Sequence, residues 1–128
     1  MRDHRLQEWL GHMREAAKDA CGFVAGLDKA DFFADRRTQQ AVIMSLVIIG
    51  EAATKIMDHA ADFAAAHPAI PWRNIRGMRN RITHGYFDIN LDLVWETVRV
   101  ALPGLLANLP SVHRDAATDP HPSSEGRS

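Results

Sequence analysis

The sequence predicts an all-α protein built as a four- to five-helix antiparallel up-down bundle. Two observations predict this fold class: apolar residues recur every three or four positions in four separate segments, and the connections between those segments are short. The chain has 128 residues, which corresponds to one domain. A chain of this size buries about two thirds of its unfolded surface, so its core can be stable without a disulfide bond.

The first helix is predicted over residues 3–27, and three glycines within it weaken it only slightly. A break over residues 28–35 follows, with one helical turn expected around Phe32 and Phe33. The apolar stripe of the first helix contains Leu6, Leu10, Met13, Ala17, Ala20, Val24 and Leu27.

The second helix is predicted over residues 36–66, with Asp35 as the residue that caps its N-terminus. Residues 41–49 are apolar on every side of the helix, which indicates a central position in the bundle. His67 and Pro68 end this helix.

The third helix is predicted over residues 71–84, because Pro71 suits a helix start and Gly85 is expected to end the helix in the left-handed conformation. A fourth helix begins near Asn90, and Pro103 should kink or split it. Its apolar face contains Leu91, Val94, Trp95, Val98, Leu102, Leu105 and Leu109.

The bundle is expected to occupy residues 1–110. After Pro110 the chain is rich in Pro, Ser, Asp and Thr and shows no apolar periodicity. Residues 111–128 are therefore predicted to form a disordered C-terminal tail.

Charge and cysteine content limit the class of protein. Fifteen basic and 16 acidic residues give a net charge of −1, which argues against non-specific binding of nucleic acid by the whole surface. The single cysteine, Cys21, allows no internal disulfide and fits a buried apolar role in a reducing cytoplasm. The polar first ten residues do not resemble a signal peptide, and the longest apolar run, residues 41–50, is too short to span a bilayer. We expect a cytoplasmic protein that does not bind membranes.

The stretch MRNRITHGYF, residues 78–87, carries the most informative side chains. Arg79 is a phosphate-binding cation, His84 belongs to the residue type that titrates near neutral pH, and Tyr86 is the only tyrosine in the chain. If these three side chains share a surface, that surface suits a phosphodiester or a nucleotide.

Helical geometry predicts such a surface. At about 100° per residue, the third helix separates an apolar side from a basic side. Residues 73–81 include four arginines and no acidic residue. The apolar side contains Ile75, Met78 and Ile82, and the basic side contains Arg73, Arg76, Arg79, Asn80, Thr83 and His84.

The spacing of arginine, four residues, histidine, one residue and tyrosine resembles that of HEPN domains, and most closely the HepT-like toxins of bacterial and archaeal toxin–antitoxin pairs. The likeness spans residues 2–109 and includes RRTQQAVIMSLVIIGEAATKI, IPWRNIRGMRN and LDLVWETV. It implies a homodimer in which two copies of the motif meet in a cleft. It further implies a partner, a minimal nucleotidyltransferase, that attaches AMP to the motif tyrosine.

Two functional hypotheses follow. In the first, the protein is a metal-independent endoribonuclease in which Arg79 and His84 are catalytic, Asn80 orients the site, and Arg73, Arg76 and Thr83 bind RNA phosphates. One chain supplies one motif histidine, and a two-fold dimer would supply the second. In the alternative, the protein is a non-catalytic nucleotide-binding or interaction module that the partner modifies at Tyr86.

A structural interpretation of the same residues also exists: a surface Arg79, a His84 favoured by the helix dipole and a Tyr86 that only packs. Glu51 could pair with an arginine of the cleft or could simply be a solvated acid, whereas Asp35 suits a helix cap better than catalysis. No metal and no cofactor are expected, since the other histidines lack zinc-site spacing and no glycine-rich phosphate loop is present.

Overall fold

The computed structural model describes residues 4–118, and all of the regular secondary structure among them is helical. The all-α prediction is therefore confirmed. The α-helices are α1 (His4–Phe23), α2 (Lys29–Ala34), α3 (Arg36–His59), α4 (Ala61–Ala66), α5 (Trp72–His84), α6 (Leu91–Glu96) and α7 (Leu102–Thr118). A 3₁₀ turn over Tyr86–Asp88 and a π-helical turn over Thr97–Ala101 complete the order.

The core lies between the three long helices. Helix α1 packs against both α3 and α7, and α5 lies against α3. The predicted stripe of α1 is buried from Leu6 to Val24, and the predicted apolar face of the last helices is buried at Val94, Val98, Leu102, Leu105 and Leu109. Helix α3 is thus the central helix, as its all-round apolar surface predicts.

Helix α3 is also long and apolar enough, by length and composition, to cross a membrane. Part of its apolar surface is accounted for by packing, because both α1 and α5 lie against it. Nine of its residues are buried in the bundle, among them Val42, Ile49 and Ile56.

The first helix ends four residues earlier than predicted. Gly26 has a φ of 82°, a left-handed conformation that glycine adopts without strain. The chain turns there, and the Leu27 N–H donates to the Val24 carbonyl at 3.0 Å. The turn leads into α2, whose buried Phe32 stacks on Trp95 with ring centroids 5.3 Å apart.

Asp35 caps α3, as predicted. Its carboxylate accepts hydrogen bonds from the Thr38 backbone N–H at 3.1 Å and from the Thr38 hydroxyl at 2.7 Å. These bonds hold the pKa of Asp35 below its ordinary value.

The predicted long second helix is divided at Ala60, which has φ −142° and ψ 53°. The redirected chain forms α4 and buries Phe63 and Ala64. Neither glycine nor proline marks this break in the sequence, so tertiary packing decides it.

Of the predictions for Pro103 and Gly85, the first is confirmed and the second is wrong about the backbone conformation. Pro103 does interrupt the last helix: the π-helical turn precedes it, and the Leu102 N–H donates to the Thr97 carbonyl five residues back. Gly85 does follow α5, but its φ is −127°, so the predicted left-handed conformation is wrong. A Cβ at Gly85 would lie 3.2 Å from the Arg81 carbonyl oxygen, and this tight contact favours glycine there.

The predicted start of the tail is wrong for residues 111–118. Helix α7 continues through Pro110 to Thr118 and buries Val112 and Ala116. His67 fixes this segment to the end of α4, because its imidazole lies 3.0 Å from an oxygen of Asp115. The rest of the predicted tail, residues 119–128, lies outside the described residues.

Cys21 has the packing role that the sequence suggests. It is half-buried, and its thiol contacts the Val98 carbonyl at 3.8 Å. Burial raises the pKa of the thiol, an effect that the nearby Arg99 partly opposes. The thiol therefore stays protonated and is a poor nucleophile.

Candidate functional site

The candidate site is built where α5 crosses α3, and Gly50 determines how closely the two helices approach. A Cβ at position 50 would overlap the Cβ of Arg79 and lie 2.6 Å from its Cγ. The side chain of Arg79 therefore occupies space that any other residue at position 50 would fill. The backbone of α3 at Gly50 is therefore in contact with the aliphatic part of the Arg79 side chain.

The Arg79 guanidinium is held at two edges. Its Nη1 donates to Oε2 of Glu51 at 2.6 Å, and its Nε donates to Oδ1 of Asn80 at 2.9 Å. A guanidinium has five N–H groups. Three of them, one on Nη1 and two on Nη2, have no protein acceptor among the described residues. This free edge is available to a phosphate.

Arg79 is less exposed than the helical projection predicts, since its side chain is only 17% exposed. The predicted basic side of α5 is not one solvated surface: Arg79 turns toward α3, whereas Asn80, Thr83 and His84 face solvent. The apolar side forms as predicted, with Ile82 buried and Ile75 and Met78 half-buried.

A second arginine of α5 is paired in the same way. Arg76 Nη2 donates to Oδ1 of Asp58 at 3.2 Å. Glu51 and Asp58 are seven residues apart on α3, so they lie on the same side of that helix. Two carboxylates of α3 therefore hold two arginines of α5.

His84 is the last residue of α5, and its imidazole is exposed. Within residues 4–118 no side chain holds this imidazole through a hydrogen bond. The Thr83 hydroxyl is engaged, since it donates to the Asn80 carbonyl at 3.3 Å. His84 is thus free to reach a ligand or a second protein chain, and the structure does not join it directly to Arg79.

Tyr86 lies in the 3₁₀ turn directly after the helix and is 54% exposed. Its ring meets that of Phe87 edge to face at 5.9 Å, and Phe87 is 96% exposed. The prediction that Tyr86 sits just past the helix end is confirmed. The two rings together form a small exposed aromatic surface directly after α5.

The sequence pattern did not indicate Gly50 or Asp58 as parts of the site, and it left two roles open for Glu51. The only signal for Gly50 was a glycine inside a long helix, where this residue costs about 1 kcal/mol relative to alanine. Such a glycine suggests a close approach of another element, but nothing in the sequence identifies Arg79 as the partner. Glu51 and Arg79 are 28 residues apart, beyond the reach of helical spacing.

The polar side chains of this site carry basic or amide groups, apart from the carboxylate of Glu51. The described residues contain no group of three or more His, Cys, Asp or Glu side chains arranged to hold a metal ion. The chemistry that the site can offer is the binding of a phosphate by Arg79 and proton transfer by the exposed imidazole of His84.

Comparisons with known proteins give matches to ribonucleases. The family model described as "Ribonuclease HepT-like" matches residues 13–112. A "Probable ribonuclease HepT" of Thermococcus cleftensis is 38% identical over 104 residues, which cover 81% of this chain and 90% of that protein.

Two further relatives are each named "Putative RNase". One, from Methanocaldococcus jannaschii, is 30% identical over 86% of this chain and 88% of its own length. The other, from Caldanaerobacter subterraneus, is 33% identical over 76% of this chain and 84% of its own length. No solved structure matches the chain significantly. The chain belongs to the HepT-like ribonuclease family.

Proposed function

We propose that this protein is the toxin of a toxin–antitoxin pair and acts as a metal-independent endoribonuclease in the cytoplasm. The observation that carries this proposal is the Arg79 guanidinium, which two neighbours fix while three of its N–H groups stay free. A rigid, partly desolvated arginine is suited to stabilising the charge that develops on a phosphate in a transition state. Asn80 orients it, and Arg73, Arg76 and Thr83 extend the phosphate-binding surface along α5.

The proposed reaction uses the RNA's own 2′-hydroxyl. One His84 removes the proton from this hydroxyl, and the 2′-oxygen attacks the phosphorus to form the new bond. The bond from phosphorus to the 5′-oxygen breaks, and a second protonated imidazole gives its proton to that leaving oxygen. The products are a 2′,3′-cyclic phosphate and a 5′-hydroxyl, and Arg79 stabilises the charge of the phosphorane between them.

The reaction needs two histidines, which a two-fold homodimer supplies. Support for a dimer comes from α3, where Met44 is 59% exposed and Ile48 is 41% exposed. Met44 and Ile48 are seven and three residues before Glu51, so helical spacing puts all three on one side of α3. A second copy that covers this apolar pair would lie beside Arg79. Light scattering at micromolar concentration should report a dimer, and a purely monomeric protein would contradict the paired-histidine scheme.

The nuclease proposal is tested by the products of the wild-type protein. Cleavage of a single-stranded RNA should continue in EDTA and leave 2′,3′-cyclic or 3′ phosphate ends. Products with 5′ phosphates, or complete loss of cleavage in EDTA, would contradict the metal-independent route.

We propose further that a cognate minimal nucleotidyltransferase neutralises the toxin by attaching AMP to Tyr86. The phenol is exposed and follows the basic helix directly, so an added phosphate would lie near arginines that attract it. The bound AMP would then compete with RNA for Arg79. The exposed ring of Phe87 offers the partner an apolar contact beside the acceptor.

Intact-mass spectrometry tests the acceptor. Incubation with the partner, ATP and Mg²⁺ should add one or more AMP units to the wild type and none to Tyr86→Phe. Tyr86 is the only tyrosine, so an equal mass increase in both proteins would exclude tyrosine modification.

The alternative function is a non-catalytic nucleotide-binding or interaction module. One observation favours it: Tyr86 and Phe87 are exposed, and a partner could reach them whether or not the protein cleaves RNA. In that case the wild type would accept AMP on Tyr86 but would not cleave RNA. The two assays above distinguish the functions.

A further inference from the structure

A cavity of about 550 Å³ lies at the other end of α5, between that helix, α4 and the end of α3. Its apolar walls include the small side chains of Ala61 and Ala65 and the larger ones of Met57 and Trp72. Because Ala61 and Ala65 end at Cβ, the space between them stays open. The size is within the range of small-molecule sites in proteins.

The polar side of this cavity comes from α5, which contributes Arg73, Asn74 and Arg76. Among the described residues the Arg73 guanidinium has no ion-pair partner and the Asn74 amide has no hydrogen-bond partner. Arg76 Nη2 is bound to Asp58, but its Nε is buried and has no hydrogen-bond partner in the described part of the chain. The Arg73 guanidinium and the Asn74 amide are exposed at the cavity, so oxygens of a ligand could accept hydrogen bonds from both.

We propose that this cavity binds one nucleotide of a single-stranded RNA beside the scissile phosphate. The inference rests on the proposed nuclease function and deepens it. Arg76 is one helical turn from Arg79, about 4.5 Å along the axis, so an RNA strand bound at Arg79 can continue along α5. The apolar walls take the faces of the base, the Asn74 amide binds its edge, and Arg73 and Arg76 bind the adjoining phosphate.

An AMP group on Tyr86 would be attached beyond the opposite end of α5, ten residues after Arg76, which lines the cavity, and about 15 Å from it along the helix axis. The cavity and the Tyr86 acceptor are therefore separate features at opposite ends of α5. The cavity makes one nucleotide beside the cleavage point a determinant of RNA affinity and sequence preference.

The test fills the cavity without touching Arg79 or His84. Ala65→Leu places a larger side chain in the cavity, and Ala66→Leu is the matched control, since Ala66 is also exposed in α4 but does not line the cavity. Both are combined with His84→Ala, so that RNA remains intact, and binding of a fluorescent 12-nucleotide RNA is followed by anisotropy. Asn74→Ala removes the amide without adding bulk and guards against misfolding of the first variant.

We expect Ala65→Leu and Asn74→Ala each to weaken binding of the 12-mer roughly tenfold, and Ala66→Leu to change it less than twofold. Equal binding of the 12-mer by all variants would overturn the cavity proposal and leave the nuclease proposal intact. Absence of RNA binding even with Ala66→Leu would overturn both. Binding of free 5′-AMP that only Ala65→Leu abolishes, with 12-mer binding unchanged, would show a free-nucleotide site and also contradict the proposal.

Discussion

Arg79 has two structural roles at once. Its stem fills the space that Gly50 leaves on α3, and its head is held by Glu51 and Asn80. An arginine in this position loses little side-chain freedom when it binds a phosphate, since most of that freedom is already lost on folding. The geometry therefore makes Glu51 a positioning residue for Arg79.

Glu51→Ala removes one of the two anchors of the guanidinium. We expect kcat for RNA cleavage to fall between about 10- and 100-fold, because a misplaced catalytic group loses its alignment in the transition state. KM should change little or fall, since Arg79 no longer shares its Nη1 with a carboxylate. Steady-state kinetics measures the split, with Glu15→Ala, an exposed acid on α1, as the control.

The amide oxygen of Glu51→Gln can still accept a hydrogen bond from Arg79. Partial recovery of kcat in this variant would show that Glu51 acts by positioning Arg79 rather than through its negative charge. An unchanged kcat in Glu51→Ala would contradict the role assigned to Glu51.

The sequence alone could identify Arg79, His84 and Tyr86 as candidates, because their spacing within one helix and its end is local. It could not predict that Arg79 would be partly buried. Helical projection locates residues around one helix axis, whereas the burial of Arg79 depends on Gly50 of a different helix.

At the scale of elements, the contact between α3 and α5 requires the glycine. Gly50→Ala should displace α5, because the new methyl group would overlap Arg79. We expect a lower melting temperature and a loss of cleavage of at least tenfold, since displacement moves the guanidinium. Gly104→Ala is the matched control: it lies in α7 with nothing within 4 Å of an added Cβ.

The Gly104 control should keep full activity and become slightly more stable, as alanine is the better helix former. Differential scanning calorimetry and an RNA cleavage assay report the two effects. Equal behaviour of the two variants would show that α5 tolerates displacement from α3.

The cap of α3 should make stability depend on pH. The Thr38 hydrogen bonds hold the pKa of Asp35 below its unfolded value, which is about 3.9 for aspartate. Ionised Asp35 therefore stabilises the fold above that pH, and the contribution is lost as the pH falls through the folded pKa. Wild type should melt above Asp35→Ala at pH 6, and the difference should shrink below about pH 4.

Asp19→Ala, on the exposed side of α1, is the control and should melt like the wild type at pH 6. A gap between wild type and Asp35→Ala that stays constant from pH 6 to pH 3 would show that the cap acts without its charge.

Element ends that the sequence predicts well are those with a local cause. Asp35 and Asn90 cap helices through hydrogen bonds to residues three positions later, and Pro103 lacks an N–H. The break at Ala60 has no such local signal. It allows Phe63 to enter the core, and only the assembled bundle contains that information.

At the scale of the whole molecule, the bundle extends further along the chain than the composition of its end suggests. Val112 is buried in α7, two residues after Pro110. Val112→Asp should lower the melting temperature by on the order of 10 °C, because a carboxylate would enter the apolar core. Ser111→Asp changes an exposed neighbour on the same helix and should leave it within a few degrees.

Equal melting temperatures for the two variants would place the end of the core at Pro110, as the composition predicted. The prediction failed for residues 111–118 because two buried apolar residues are enough to continue an amphipathic helix. Two apolar residues are too few to be recognised as a helical periodicity in an otherwise polar sequence.

The fold class depends on periodicity repeated over many residues, and for that reason it could be predicted from the sequence. The proposed dimer would depend on surfaces that periodicity does not distinguish from ordinary exposed side chains. Met44 and Ile48 belong to the apolar run of α3, and only the structure shows that they remain uncovered within one chain.

The proton-transfer role of His84 is tested by the rate of RNA cleavage by His84→Ala beside His12→Ala, which removes an exposed histidine of α1. If His84 transfers the proton, His84→Ala should be about 10²- to 10⁴-fold slower than wild type at an unchanged melting temperature, and His12→Ala should cleave at the wild-type rate. Cleavage by His84→Ala at the wild-type rate would contradict the account.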